Sequence, residues 1–132
     1  MKLFHGSDNP NLTFKQVKEG IGYHPGAGPV EFLGPSFSDN EEVAKSYGKY
    51  LFSREINFKK VKQYKSLYTL KNEILRTFSV STGINLGIQY KDIADSFRIK
   101  LMSEGYDAVT FPEGSKSDTN HIIANTYIPI KL

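Results

Sequence analysis

The segment Leu3-Phe4-His5-Gly6-Ser7 is a short apolar run that ends in a histidine-glycine pair. The turn-forming residues Ser7-Asp8-Asn9-Pro10 follow, so Lys2 to His5 is predicted to be a strand that Gly6 ends. Because glycine has no Cβ, a planar ligand can approach the backbone here, and its N–H and C=O groups can pair with a carboxamide. His5 beside it can donate a hydrogen bond to a hydroxyl group. The pair is therefore a candidate ligand site.

A second block runs from Gly34 to Tyr47 and is predicted to contain a strand followed by a helix. Val30 to Phe37 is apolar but interrupted by a glycine-proline pair, which is typical of an irregular or edge strand. Ser38 and Glu41 have the spacing of a capping box. The short helix that they begin is expected to end at Gly48 and to bury Val43, Ala44 and Tyr47.

The rest of the chain alternates strands and helices. Apolar periodicity predicts helices at Leu70–Phe78 and Asp92–Ser103, and Gly105 follows the second as a left-handed cap. A Gly/Pro-rich loop is predicted over Gly20–Pro29. The predicted strands are Tyr50–Phe58, Tyr106–Phe111, His121–Ala124 and Tyr127–Leu132, the last an edge strand because it contains Pro129. Strands with two or three helices inserted on one side indicate an α+β fold.

Length and composition indicate a single compact domain that covers residues 1–132. The chain has 39% hydrophobic and 13% aromatic residues, which is enough apolar surface for one core. Cysteine is absent, so disulfides and thiolate metal sites are excluded, and we predict no metal site. The first residues do not resemble a signal peptide, and no apolar run has the length of a membrane span. We therefore expect a cytoplasmic protein without a membrane partner.

The net charge is +3 and the isoelectric point is about 9.0. Part of the excess lies in a lysine cluster, which consists of Lys59, Lys60, Lys62 and Lys65. Such a cluster is typical of a solvated edge or loop, and it also suits a polyanionic partner. No zinc-finger or RNA-binding motif accompanies it, so nucleic acid is the less favoured partner.

The order of these motifs resembles that of the ADP-ribosyltransferase superfamily, in its diphtheria-toxin-like and poly(ADP-ribose) polymerase class. That class has a His-Gly-Ser/Thr strand, a strand end of glycine, aromatics and Asp, a short helix and a second tyrosine. The matching positions here are Gly34, Phe37, Ser38, Asp39, Ala44, Ser46 and Tyr47. Phe37 to Tyr47 is also similar to small bacterial and phage members, which include an anti-CRISPR class of similar length. Glu104 to Val109 and the closing Ile-rich strand resemble the end of such domains.

The resemblance implies a split β-sandwich that binds NAD as co-substrate in a cleft between two small sheets. It implies transfer of mono-ADP-ribose to a macromolecular target, which we expect to be a protein. His5 would orient the ribose, and the Gly6 backbone would hold the carboxamide with help from Ser7. Phe37 and Tyr47 would pack against the nicotinamide.

Two positions depart from the family pattern. Ser36 stands where the family has a stacking tyrosine, and Asn120 stands where it has a glutamate at the start of the penultimate strand. That carboxylate opposes the positive charge that develops on the ribose, and its loss typically costs about 100- to 1,000-fold in rate. Asn120 remains a candidate catalytic residue, because an amide can supply the hydrogen bond of that carboxylate but not its charge. Asp118 or Glu113 could substitute for the carboxylate, although both also suit solvated turns. His121 is a further candidate for lining the cleft, and His24 in the Gly/Pro-rich loop is a candidate for closing over the bound dinucleotide, as the resemblance implies; a solvent-facing position is the alternative for each.

Two alternatives remain from the sequence. The first is a degenerate transferase fold that inhibits a partner by binding alone, without catalysis. The second is a transferase directed at nucleic acid, which the lysine cluster would favour. A phage-encoded protein of either kind would act in the host cytoplasm.

Overall fold

A six-stranded sheet is the centre of this α+β fold. The computed structural model describes residues 1–9, 25–78, 86–114 and 123–131. The strands are β1 (Lys2–Ser7), β2 (Phe37–Ser38), β3 (Tyr50–Glu55), β4 (Val61–Gln63), β5 (Ala108–Gly114) and β6 (Ile123–Pro129). The α-helices described are α1 (Glu41–Lys45), α2 (Leu67–Phe78) and α3 (Leu86–Ser103), and a 3-10 segment covers Pro25–Phe32.

The strands follow the order β3-β1-β2-β6-β5-β4, and every pair is antiparallel except β4 with β5. The two-residue strand β2 joins one half, β3 and β1, to the other half, β6, β5 and β4. The described strands thus form one hydrogen-bonded sheet rather than the two separate small sheets that we expected.

The register assigns each side chain to one of two faces, because side chains alternate along a strand. Phe4 pairs with Ser38, Ser38 with Thr126, and Thr126 with Phe111, so these four residues share one face. We call it the helix face, because α2, α3 and the 3-10 segment pack against it. The other face, called the far face, carries His5, Phe37, Tyr127 and Thr110.

The larger core lies between the helix face and the helices. It joins Val109, Phe111 and Ile128 of the sheet to the 3-10 segment, to Leu33 directly after it, and to apolar residues of α2 and α3, chiefly Leu70, Ile74, Phe97 and Leu101. A smaller cluster of Leu3, Phe37 and Ile56 lies on the far face. No helix among the described residues has the length and apolar character needed to cross a membrane.

The second block differs from its prediction in two details. Val30 to Phe32 belongs to the 3-10 segment instead of a strand, and the strand is confined to Phe37–Ser38. The N-cap of α1 is Asn40, whose side chain accepts a hydrogen bond from Val43 N at 3.1 Å. Ser38 instead accepts from Asn40 N, so the capping-box prediction was displaced by two residues.

The C-terminal strands also differ from their predictions. The residues predicted as two strands form one strand, β6, within the described range, and His121 and Leu132 lie outside that range. β6 is an interior strand, and it accommodates Pro129 because its pairing with β2 is confined to Thr126 and Tyr127. Gly105 has a φ of +90°, which confirms the predicted left-handed cap.

Candidate functional site

The structure brings Tyr47 and Glu113 together at the end of β5. Tyr47 follows α1, and its hydroxyl donates a 2.9 Å hydrogen bond to the carbonyl oxygen of Gly114, 67 residues away in sequence. Burial raises the pKa of Tyr47, and the nearby negative charge of Glu113 raises it further. Two residues predicted from separate motifs thus share one site.

The Glu113 carboxylate is held from the neighbouring strand. Thr126 on β6 donates a hydrogen bond from Oγ1 to Oε2 of Glu113 at 3.0 Å. Thr126 is 3% exposed, so its position is fixed by packing. Glu113 and Thr126 both lie on the helix face, as their spacing from the Phe111–Thr126 pair requires.

Glu31, which we did not single out from the sequence, belongs to the same site. Burial raises the pKa of Glu31 to about 7, and the charge of Glu113 raises it in the same direction. The sequence signal that could have identified it is one acidic residue inside the apolar run Pro29-Val30-Glu31-Phe32-Leu33. Glu31 and Glu113 thus interact through their charges, and we call them the carboxylate pair.

A buried arginine on α3 positions the chain next to Glu31. Arg98 is 4% exposed and donates to the carbonyl oxygens of Phe32 at 2.6 Å and Leu33 at 3.0 and 3.1 Å. Its third contact is an ion pair with Asp95 at 2.6 Å. A guanidinium supplies several donors in a fixed plane, so it can satisfy both carbonyls at once.

His5 lies on the far face, and its hydrogen bond assigns its tautomer. Nδ1 is 2.6 Å from the carbonyl oxygen of Ser36, which can only accept, so Nδ1 carries the proton. Burial lowers the pKa of His5, and the bond to Ser36 partly opposes this shift. Neutral His5 therefore presents Nε2 as an acceptor, whereas we expected a donor from the sequence.

The sheet separates residues that we predicted to share one site. His5 is on the far face, since its ring lies 5.6 Å from that of Phe37, whereas Glu113 is on the helix face. Tyr47 reaches Glu113 from the helix side, where Gly6 meets α1. The structure thus brings together Tyr47 and Glu113 but leaves His5 on the opposite side.

The remaining candidates next to His5 have structural roles. A Cβ on Gly6 would lie 1.9 Å from the carbonyl oxygen of Ala44, so α1 itself requires this glycine. Ser7 is 9% exposed and accepts a hydrogen bond from Asn9 N. Phe37 is 5% exposed within the smaller core and offers little ring surface to a ligand, while Ser36 is exposed.

Several predicted positions lie outside the described residues. These are the candidate catalytic residues Asp118 and Asn120, and the histidines His24 and His121. Glu113 is thus the predicted catalytic carboxylate that the structure describes.

Two residues of the lysine cluster have intramolecular partners. Lys60 Nζ lies 4.3 Å from the ring centroid of Tyr106 and donates to the carbonyl oxygen of Glu104 at 2.9 Å. Lys62 Nζ lies 5.2 Å from the same ring. These contacts give the two lysines a structural role that needs no polyanionic partner.

A shallow pocket of about 180 Å³ lies at β5 and β6, lined by Thr110, Pro112, Asn125 and Tyr127 among others. It is smaller than the roughly 300 Å³ at which sites for small-molecule ligands usually begin. Within the described ranges, no group of three or more histidine or acidic side chains is placed to hold a metal ion.

No family model, no curated protein and no solved structure matches this chain.

Proposed function

We propose that this protein is a mono-ADP-ribosyltransferase that uses NAD to modify a macromolecular target, expected to be a protein. The observation that carries the proposal is the meeting of Tyr47 with Glu113, where the Tyr47 hydroxyl bonds the backbone beside that carboxylate. The family resemblance requires an aromatic ring against the nicotinamide and a carboxylate near the ribose, and Tyr47 and Glu113, the latter as a substitute for the family glutamate, would supply them. The proposed role in modifying a host or defence protein rests on the similarity of residues 37–47 to phage and bacterial members.

The side chains of this site suit the nicotinamide-ribosyl end of NAD. Tyr47 is 36% exposed, so part of its ring can pack against a cationic aromatic ring. Glu113 can accept a hydrogen bond from a ribosyl hydroxyl and oppose positive charge near the anomeric carbon. When bound, NAD supplies an ADP-ribosyl group that is activated by its nicotinamide leaving group.

Glu31 supplies the proton acceptor in this proposal. A carboxyl group whose pKa is about 7 is roughly half ionised at neutral pH. It can therefore take the proton that the acceptor atom of the target loses as that atom bonds to the ribose. Glu113 remains the charge-stabilising carboxylate, and Thr126 keeps it oriented.

His5 has no direct part in this version of the reaction, because it lies across the sheet from Glu113. The proposal thus differs in the role of His5 from what the family resemblance implies, and this difference can be tested. It assigns the chemistry to the helix face and leaves His5 a structural bond to Ser36.

The experiment incubates the protein with NAD labelled in its adenylate portion and a host lysate, then follows label into macromolecules. Glu113→Gln is expected to lower labelling about 100- to 1,000-fold, whereas Glu42→Gln, an exposed carboxylate on α1, should leave it unchanged. His5→Ala should retain most of the activity if the variant is folded. Full activity of Glu113→Gln would contradict the proposal.

A non-catalytic binding protein is the second candidate, and the division of His5 from Glu113 favours it. Phe37 is also buried and cannot stack on a ligand in the described arrangement. This candidate predicts tight capture of a partner with no label transferred by the wild-type protein. Label that survives protease and follows RNA or DNA would instead identify nucleic acid as the target.

A further inference from the structure

Strand β3 forms one end of the sheet. Among the described residues, its hydrogen-bonded neighbour is β1 alone. Five of its six residues are exposed, and Tyr50 and Phe52 are 38% and 37% exposed. A terminal strand presents a row of N–H and C=O groups that can pair with another strand.

Three of the devices that prevent such pairing are missing from β3, namely a very short strand, a proline and a bulge. Charged side chains are a fourth device, and β3 contains two of opposite sign, Arg54 and Glu55. β3 has six residues without proline, and its register with β1 is unbroken from Lys2–Glu55 to Ser7–Tyr50. The strand is therefore regular enough to accept a partner strand.

The sequence of this strand is complementary to itself in the antiparallel direction. We propose that two copies of this chain pair through β3, around a two-fold axis at Phe52. In this register Lys49 faces Glu55 of the second copy, and Tyr50 faces its Arg54. Phe52 faces its own counterpart, so the pairing combines opposite charges, a cation–π contact and an aromatic pair.

The pairing keeps the two faces of the sheet continuous. Phe52 is paired with His5, so Tyr50, Phe52 and Arg54 lie on the far face, and Glu55 lies on the helix face. The smallest shift that preserves both faces is two residues. Such a shift removes the contact between Lys49 and Glu55, which selects the proposed register.

The charges at the ends of β3 are available for this contact. Glu55 binds the terminal amine of Met1 at 2.5 Å but remains 66% exposed. Lys49 Nζ lies 5.8 Å from the ring of Tyr50 and is exposed. Both groups can therefore turn toward a second copy without first losing a buried partner.

The interface is small, so the dimer should depend on protein concentration. A pair of six-residue strands buries less than the roughly 1,200 Å² at which standard stable interfaces begin. Tyr47 and Glu113 are not part of β3, so dimer formation and labelling activity can succeed or fail independently.

The absence of cysteine from the sequence permits a clean crosslinking test. In Phe52→Cys the two thiols of a dimer face each other, and residues directly opposite in an antiparallel pair have Cα atoms about 4.5 to 5.5 Å apart, within disulfide range. Mild oxidation should give a covalent dimer. Tyr68→Cys is the control, because Tyr68 lies on α2 and is 70% exposed. Equal crosslinking of both variants, or none of Phe52→Cys, would overturn the proposal.

A charge exchange tests the register without cysteine. Lys49→Glu should raise the dissociation constant of the dimer by about 3- to 10-fold, because each cross-strand pair occurs twice in the dimer. Sedimentation velocity measures this constant. The double variant Lys49→Glu/Glu55→Lys should restore it. A double variant as weak as the single one, or a wild-type protein that stays monomeric at millimolar concentration, would rule out this interface.

Discussion

Two nitrogens of Arg98 donate to the same acceptor, the carbonyl oxygen of Leu33, at 3.0 and 3.1 Å. This buried contact connects the middle of α3 to the chain that carries Glu31. The carboxylate pair at the site is therefore positioned from a helix that contributes none of its proposed chemistry.

Removing this guanidinium should destabilise the protein. Arg98→Ala leaves the buried carbonyls of Phe32 and Leu33 without these donors and is expected to cost about 3 kcal/mol or more in the free energy of unfolding, measured by urea denaturation. The loss in the free energy of unfolding for Arg98→Lys should lie between zero and that of Arg98→Ala, since an ammonium group cannot reproduce the planar set of donors of a guanidinium. Arg76→Ala, an exposed change in the last turn of α2, should stay within about 0.5 kcal/mol. Equal losses for Arg98→Ala and Arg76→Ala would contradict this role.

Glu31 should make the protein less stable as the pH rises. Between pH 4.5 and about 7 the folded state keeps a proton that the unfolded state releases, so stability falls through this window and stays low above it. Glu31→Gln removes this cost and should stabilise the protein at pH 8 by up to about 3 kcal/mol, with little effect at pH 4.5. The measurement is denaturant unfolding at several pH values, and an unchanged pH slope would show that Glu31 does not titrate in this window.

His5 should be neutral at pH 7 with its proton on Nδ1. Its pKa in the folded protein should lie below 6.5, because burial disfavours the imidazolium form. The contribution of neutral His5 to stability is present above pH 6.5 and is lost as the pH falls below that value. Nitrogen NMR of the imidazole ring gives both the tautomer and the pKa. A proton found on Nε2 at pH 7 would contradict the bond to Ser36.

Two glycines should differ in how they respond to alanine. Gly6→Ala places a Cβ 1.9 Å from the backbone oxygen of Ala44, so α1 must move, and we expect a loss of about 3 kcal/mol or more. Gly105→Ala meets only the Lys60 side chain at 3.8 Å, and its φ of +90° makes the cost conformational, about 1 kcal/mol. Thermal unfolding of the two variants tests this order, and the reverse order would show that α1 does not pack closely on β1.

Periodicity predicted most of the regular elements, because their apolar faces are set by neighbours in sequence. The helices around Leu70 and Phe97 and the strand containing Val109 follow directly from such patterns. Val30–Phe32 was predicted as part of a strand from its apolar side chains, whereas the carbonyl oxygen of Phe32 accepts a hydrogen bond from Arg98, 66 residues later. No local pattern contains that contact.

The site was predictable only in part, for a related reason. Motif order identified Tyr47 and placed Asn120 at the position of the family glutamate, with Glu113 as a possible substitute. The meeting of Tyr47 with Glu113 depends on how β5 and α1 are placed in the fold. The face on which His5 lies depends on the pairing of β1, β2 and β6, which the sequence does not state. Glu31 was missed because its significance comes from burial near a second carboxylate.

The shortness of β2 has a consequence for cooperativity. Tyr47 enters the site from the half of the sheet that contains β1 and β3, and Glu113 comes from the half that contains β5 and β6. Two residue pairs to β6 and one to β1 join these halves through β2. Local unfolding at Phe37 and Ser38 would therefore separate Tyr47 from Glu113 and open the smaller core, which contains Phe37, while the larger core remains folded.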